Sequence, residues 1–146
     1  MDRTLVICKP DAIERGLVGE ILSRLEARTL RLVAADLRTI DKALAGEHYA
    51  EHQGQPFYDD LVAFITRGPS LLVVVEGPHD TYAVVRTMIG ATDPAQAAPG
   101  TIRGDFAITT TENLIHGSDS PESAAREIAL FFPGLDERLV TGGAGA

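Results

Sequence analysis

His116 lies in the stretch NLIHGSDS, residues 113–120, beside Gly117 and ahead of Ser118, Asp119 and Ser120. The pattern predicts an imidazole in a loop between a strand and a helix, close to the positive end of that helix, where anions are favoured. A neutral imidazole nitrogen is a competent nucleophile near pH 7, and the glycine beside it would let a substrate approach closely. On the helix that follows, Glu127 sits at the edge of a stripe formed by Ala124, Ile128, Phe131 and Phe132, on roughly the same side as Ser120. A carboxylate there would bond the imidazole directly or through Ser118 or Ser120, fixing its tautomer and stabilising the charge that develops on it. Taken singly, a loop histidine and a helix glutamate are ordinary surface residues; their meaning depends on the pattern around them.

A second constellation is HYAEH, residues 48–52. It matches H-x-x-E-H, which on a helix sets two histidines at i and i+4 with Glu51 as base, the arrangement of a metallohydrolase. The match is short, and no third ligand stands out.

For such side chains to meet, strands and helices must alternate. Residues 5–8 are uniformly apolar and stopped by Lys9-Pro10-Asp11, which predicts a central strand covered on both faces with its polar end open to solvent. Apolar residues at Leu17, Val18, Ile21, Leu22 and Leu25 predict an amphipathic helix over 17–28. A strand over 30–40 follows, then a helix capped by Asp41 and running through DKALAGEHYAEH. Further elements are a helix over 57–65 ended by Gly68-Pro69, a strand over 71–76 and a helix over 80–89. Residues 90–104 form a long connection rich in Gly, Pro and Ala, of a length that is usually functional or disordered. A fourth strand is expected over 105–109, and a last helix, capped by Ser120 and started by Pro121, through Phe132. Two βαβ units with a helical insertion describe an α+β fold, a ferredoxin-like split βαβ sandwich whose four-stranded antiparallel sheet is covered by helices. The expected organisation is one domain over 1–134 and a short flexible tail over 135–146.

With 146 residues the chain can bury a core without disulfides or metal clips. Its net charge of −8 argues against a general nucleic-acid binder, so an anionic ligand must meet a locally basic pocket. Cys8 is the single cysteine, which excludes an intrachain disulfide and fits a reducing compartment; its place in an apolar run marks it as a buried strand residue rather than a reactive thiol. The four apolar residues ahead of Lys9 are too few for a signal peptide or a membrane span, and the protein is expected to be cytoplasmic.

NLIHGSDS, with ESAAREI behind it and Ile7-Cys8-Lys9-Pro10-Asp11 before it, resembles the active-site segment and N-terminal strand of the nucleoside diphosphate kinases. RGLVGEI (15–21), EHYAEH (47–52), PFYDDLV (56–62), GATDPAQAAPGTIRGDFA (90–107) and EIALFF (127–132) follow in that family's order, so the resemblance spans about Arg3 to Pro133. It implies that His116 is a transient phosphohistidine, assisted by Glu127 and Ser118, in a ping-pong transfer from nucleoside triphosphates to nucleoside diphosphates. It also implies that Lys9, Tyr49, Arg86, Thr92, Arg103 and Asn113 surround the phosphates and sugar, three cations among them clamping the polyphosphate. Phe57 would stack on the base, with Leu61 and Thr110 lining the same slot; stacking without reading base edges tolerates purines and pyrimidines alike. Mg²⁺ would arrive on the nucleotide's phosphates rather than in a carboxylate cage. Assembly would be a homohexamer, with a tetramer as the alternative.

The chain departs from the family pattern at three places. Thr110 puts a hydroxyl where valine is usual, Thr29 replaces a glycine after the first long helix, and Ser70-Leu71-Leu72 differs in the third strand. A nucleotide-binding module without turnover is the rival from another class, but binding alone would not require His116 together with Lys9, Arg103, Asn113 and Glu127.

Overall fold

The computed structural model describes residues 1–136. The chain opens with β1 (Asp2–Cys8), a one-turn helix α1 (Pro10–Glu14), α2 (Val18–Ala27) and β2 (Arg31–Arg38). Next come α3 (Lys42–His48), a 3₁₀ turn (Ala50–His52), α4 (Tyr58–Thr66) and β3 (Ser70–Gly77). The last part holds α5 (Thr81–Ile89), α6 (Ile102–Phe106), β4 (Ile115–Gly117) and α7 (Pro121–Phe131).

The four strands form one antiparallel sheet in the order β2-β3-β1-β4, the split βαβ arrangement that the element order predicts. β1 is central, and its alternation explains the uniformly apolar run: Leu5 and Ile7 enter one core, Val6 and Cys8 the other. The first of these cores contains Phe131 of α7, Val62 and Ile65 of α4 and Ala45 of α3, while the second contains Ile21 and Leu25 of α2 and Val85 and Ile89 of α5. α3 and α4 are thus the helical insertion. Two caps expected from sequence are present: the Asp41 carboxylate accepts from Leu44 N at 2.8 Å, and Ser120 Oγ from Ser123 N at 3.0 Å.

Four local expectations are corrected. Residues 105–109 are not the fourth strand. Thr101 caps a short helix there, accepting from Gly104 N at 3.0 Å, and the Asp105 carboxylate is taken up by Gly100 N at 2.9 Å and Arg24 at 2.7 Å. The fourth strand is Ile115–Gly117, pairing with Val6 to Cys8, too short to carry a recognisable alternation. The end of β1 is not open to solvent, because α1 folds over it and leaves Lys9 and Asp11 only 7% and 3% exposed. The helix expected through His52 stops at His48, where Tyr49 begins the 3₁₀ turn. Finally, packed chain continues past 134: Leu135 belongs to the core under α7, and Asp136 accepts from Arg3 at 2.8 Å. The remainder of the expected tail lies outside the described residues.

No described helix is long and apolar enough to cross a membrane.

Candidate active site

His116 stands on β4 itself, opposite Ile7, rather than in a loop. Strand alternation sends its neighbours Ile115 and Gly117 to the other face. There the missing side chain of Gly117 makes room for α5, since a Cβ would come within 2.7 Å of Ile89 Cδ1; this glycine serves packing, not substrate approach. α7 returns along the sheet and brings Glu127 to the imidazole, with Nε2 2.8 Å from Oε1. Ser118 Oγ donates to the same oxygen at 2.7 Å, while Ser120 is spent on the helix cap. Glu127 is buried. Burial pulls its pKa upward, but the hydrogen bonds from His116 and Ser118 outweigh that, so the carboxyl titrates below its usual range. An ionised acceptor at Nε2 assigns the proton to that nitrogen, which leaves the Nδ1 lone pair without a partner among the described residues.

His48, at the end of α3, sets its ring edge-on to His116 with centroids 4.8 Å apart. Desolvation, reinforced by His116, drives its pKa down to about 3, so this second imidazole is neutral. The HYAEH motif does not form a metal-binding face. His48 turns inward against His116 and Phe131, whereas His52 packs on the Phe57 ring. Of the two ligand-type clusters among the described residues, the one in this region is His48, His116 and Glu127, with ligating atoms within 4.8 Å of one another; the other, Asp2, His79 and Asp80, lies elsewhere.

These side chains open into a cleft of about 480 Å³. Every residue singled out for the nucleotide site lines it: Lys9, Tyr49, Phe57, Leu61, Arg86, Thr92, Arg103, Thr110 and Asn113, together with His116 and Glu127. Ser118 lies beneath, fully buried against β1. Lys9 Nζ donates to Asn113 Oδ1 at 2.8 Å, and Asn113 Nδ2 donates to the Thr92 carbonyl at 3.1 Å. Burial, with Arg103 adding like-charge repulsion, lowers the Lys9 pKa to about 8. Arg103 donates to the carbonyls of Asn113 (3.3 Å), Gly90 (3.3 Å) and Ile115 (2.6 Å), and Arg86 to Gly117 O at 2.9 Å. Arg103 therefore does brace the loop. A guanidinium carries five N–H donors, so two remain for a ligand.

One end of the cleft is polar and cationic, the other apolar. Phe57 is 46% exposed, hence not the first core residue of its helix. Opposite it, Thr110 and Thr111 are exposed, so the Thr110 hydroxyl has water for a partner. Sequence reasoning overlooked His48, hidden inside a motif read for metal, and Asp11, whose carboxylate accepts from Leu114 N at 3.1 Å. That bond helps hold Leu114 at φ +75°, a left-handed backbone just before His116. Asp11 was legible only as part of the Lys9-Pro10-Asp11 stop.

Comparison with known proteins gives a consistent picture. The family model described as nucleoside diphosphate kinase matches residues 2–136. A nucleoside diphosphate kinase of Thermomicrobium roseum is 61% identical over 132 residues, covering 90% of this chain and 88% of its own length. One from Mycobacterium tuberculosis is 59% identical over 134 residues, covering 91% and 98%. Among solved structures, a halophilic nucleoside diphosphate kinase from Halobacterium salinarum in complex with CDP superposes with a TM-score of 0.88 at 51% identity, over 90% of this chain and 88% of that one.

Proposed function

Because the chain belongs to the nucleoside diphosphate kinase family, and so moves the γ-phosphoryl of a nucleoside triphosphate to a nucleoside diphosphate by a ping-pong route, we propose that His116 Nδ1 is the atom that carries it. The observation behind this assignment is the Glu127–Ser118 pair that engages Nε2 and leaves Nδ1 free in a cleft lined by Lys9, Arg86 and Arg103. In the first half-reaction the Nδ1 lone pair forms a bond to the γ-phosphorus as the bond to the bridging oxygen breaks, and the diphosphate leaves. The proton stays on Nε2, where the ionised Glu127 stabilises the cationic ring. In the second, a terminal oxygen of another diphosphate takes the group and Nδ1 recovers its lone pair. Lys9, Arg86 and the free donors of Arg103 stabilise charge on the transferring group, which needs positioning more than covalent help.

Phe57, Leu61 and Thr110 are assigned to the base, and Lys9, Asn113, Thr92 and Tyr49 to the sugar and phosphates. An exposed aromatic face opposite two threonines can hold any base by stacking. The CDP held by the Halobacterium salinarum relative supports pyrimidine access. Mg²⁺ is assigned to the nucleotide: among the described cleft carboxylates, Glu127 is committed to His116 and Ser118, while Glu51 and Asp119 are exposed. Three cations fit phosphates, not a bare metal ion; Mg²⁺ would be held by those phosphates and would screen their charge. Assembly is assigned as a homohexamer, with a tetramer as the alternative, in the cytoplasm. The outer strand β2, whose outer edge pairs with no other strand among the described residues and whose Leu37 is 62% exposed, supports contact between copies.

Incubation with γ-labelled ATP is expected to leave acid-labile label on the protein, and GDP should remove it. His116→Ala should take up none. A native chain that binds nucleotide without labelling would instead be a binding module.

A further inference from the structure

We infer that Arg67 is a positioning residue for nucleotide binding, clasping both walls of the base slot and the segment behind Lys9 through Glu14 and Glu112. The inference rests on the reading of the cleft as the nucleotide site. Arg67 directly follows α4, the helix that carries Leu61 and is preceded by Phe57. Its guanidinium forks onto Glu14, Nε to Oε2 at 3.0 Å and Nη2 to Oε1 at 2.6 Å, and Nη2 also reaches Glu112 Oε1 at 2.7 Å. Glu14 closes α1, which begins immediately after Lys9. Glu112 adjoins Asn113 and lies two residues beyond Thr110. One side chain thus joins the three segments that supply the ammonium, the stacking wall and the threonine wall.

The threonine wall has little else to hold it. Residues 108–112 are exposed, and the one other hydrogen bond they make among the described residues is internal, Glu112 N to Thr109 Oγ1 at 3.0 Å. Arg67 also covers the Phe64 ring at 4.8 Å, the same buried ring that lies 6.0 Å from Lys9 Nζ. A bidentate fork joined to a third charge is a network, so it holds geometry better than an isolated surface pair. Yet the three side chains are 38% to 50% exposed, which leaves the clasp open to screening by salt. A slackened loop would lose grip on the base without disturbing the His116–Glu127 pair.

The test uses Arg67→Met, which keeps cover over Phe64 but not the charge, and Glu112→Gln, alone and combined. KM and kcat for triphosphate and diphosphate are measured at ionic strengths of about 10 mM and about 0.15 M, alongside labelling of His116 at saturating ATP. At low salt each single variant should raise KM about threefold to tenfold with kcat held within about twofold and labelling undiminished. The double variant should be no worse than Arg67→Met, because both remove one interaction. KM of the native chain should climb more steeply with salt than that of Arg67→Met. An unmoved KM at low salt, kcat falling while KM holds, or parallel salt slopes would each overturn the clasp. Should Arg67→Met not fold, Glu112→Gln leaves the fork to Glu14 intact and carries the same KM expectation. Failure of the native chain to label would overturn the phosphohistidine reading and the clasp with it, whereas labelling with an unmoved KM overturns the clasp alone.

Discussion

Lys9 carries a charge that its burial disfavours. Its ammonium is buried under α1, among the described residues bonds only Asn113 Oδ1 at 2.8 Å, and faces the like charge of Arg103, so its pKa falls to about 8. The folded pKa lies below the unfolded one, near 10.5. Unfolded chain therefore binds the extra proton between those values: stability rises with pH across this window, and below about 8 the full cost of the buried charge is borne. An arriving polyphosphate reverses the balance by supplying the missing counter-charge. We expect kcat/KM, which reports free enzyme, to fall as pH rises through about 8, with kcat flatter because bound phosphates keep the ammonium charged. The pH profile of Lys9→Met should lack that limb; a native kcat/KM level between pH 7 and 9 would contradict the assignment. At this scale the sequence showed which side chains could do chemistry. It could not show which imidazole nitrogen is free, because that depends on Glu127 reaching Nε2 from α7.

Element boundaries expose one costly choice. Thr29, between α2 and β2, adopts φ +63°, a left-handed backbone that a β-branched residue tolerates poorly; its hydroxyl bonds the Arg28 carbonyl at 2.6 Å in partial compensation. Such strain costs about 1–3 kcal/mol, against which glycine brings a larger unfolded-state entropy. Thr29→Gly should therefore raise unfolding stability by about 1 kcal/mol, read as a higher urea midpoint with unchanged slope. No increase would mean that the hydroxyl bond offsets the strain. The longer elements were legible, since α2 and α7 show helical spacing and β1 an unbroken apolar run. The short ones were not. α1 is one turn, β4 three residues, and α6 forms where a strand was expected because Thr101, Gly100 and Arg24 satisfy its backbone and its Asp105.

Over the whole molecule, a chain of net charge −8 gathers Lys9, Arg86 and Arg103 into one cleft. Surrounding acid disfavours nonspecific polyanions, while the cleft offers a local cationic site to small ones. The outer edge of β2, which pairs with no other strand among the described residues, and the exposed Leu37 leave surface for further copies. Sedimentation equilibrium should return a mass six times the 15.6 kDa of one chain. A fourfold mass would favour the tetramer, and a single-chain mass would remove the assembly proposal altogether.

Alternation, caps and residue types by themselves determined the sandwich and the central strand, because those properties are local and repeat along the chain, while the resemblance of ordered segments to a known family pointed to the side chains that would meet a polyphosphate. Only the tertiary structure decided how they meet. It moved His116 from a loop onto β4, buried Lys9 beneath α1, turned the HYAEH histidines in different directions and drew Glu14, Arg67 and Glu112 together. These outcomes depend on contacts between residues far apart in the chain, such as the 104 positions between Lys9 and Asn113, and no period or local motif encodes the packing that closes such distances.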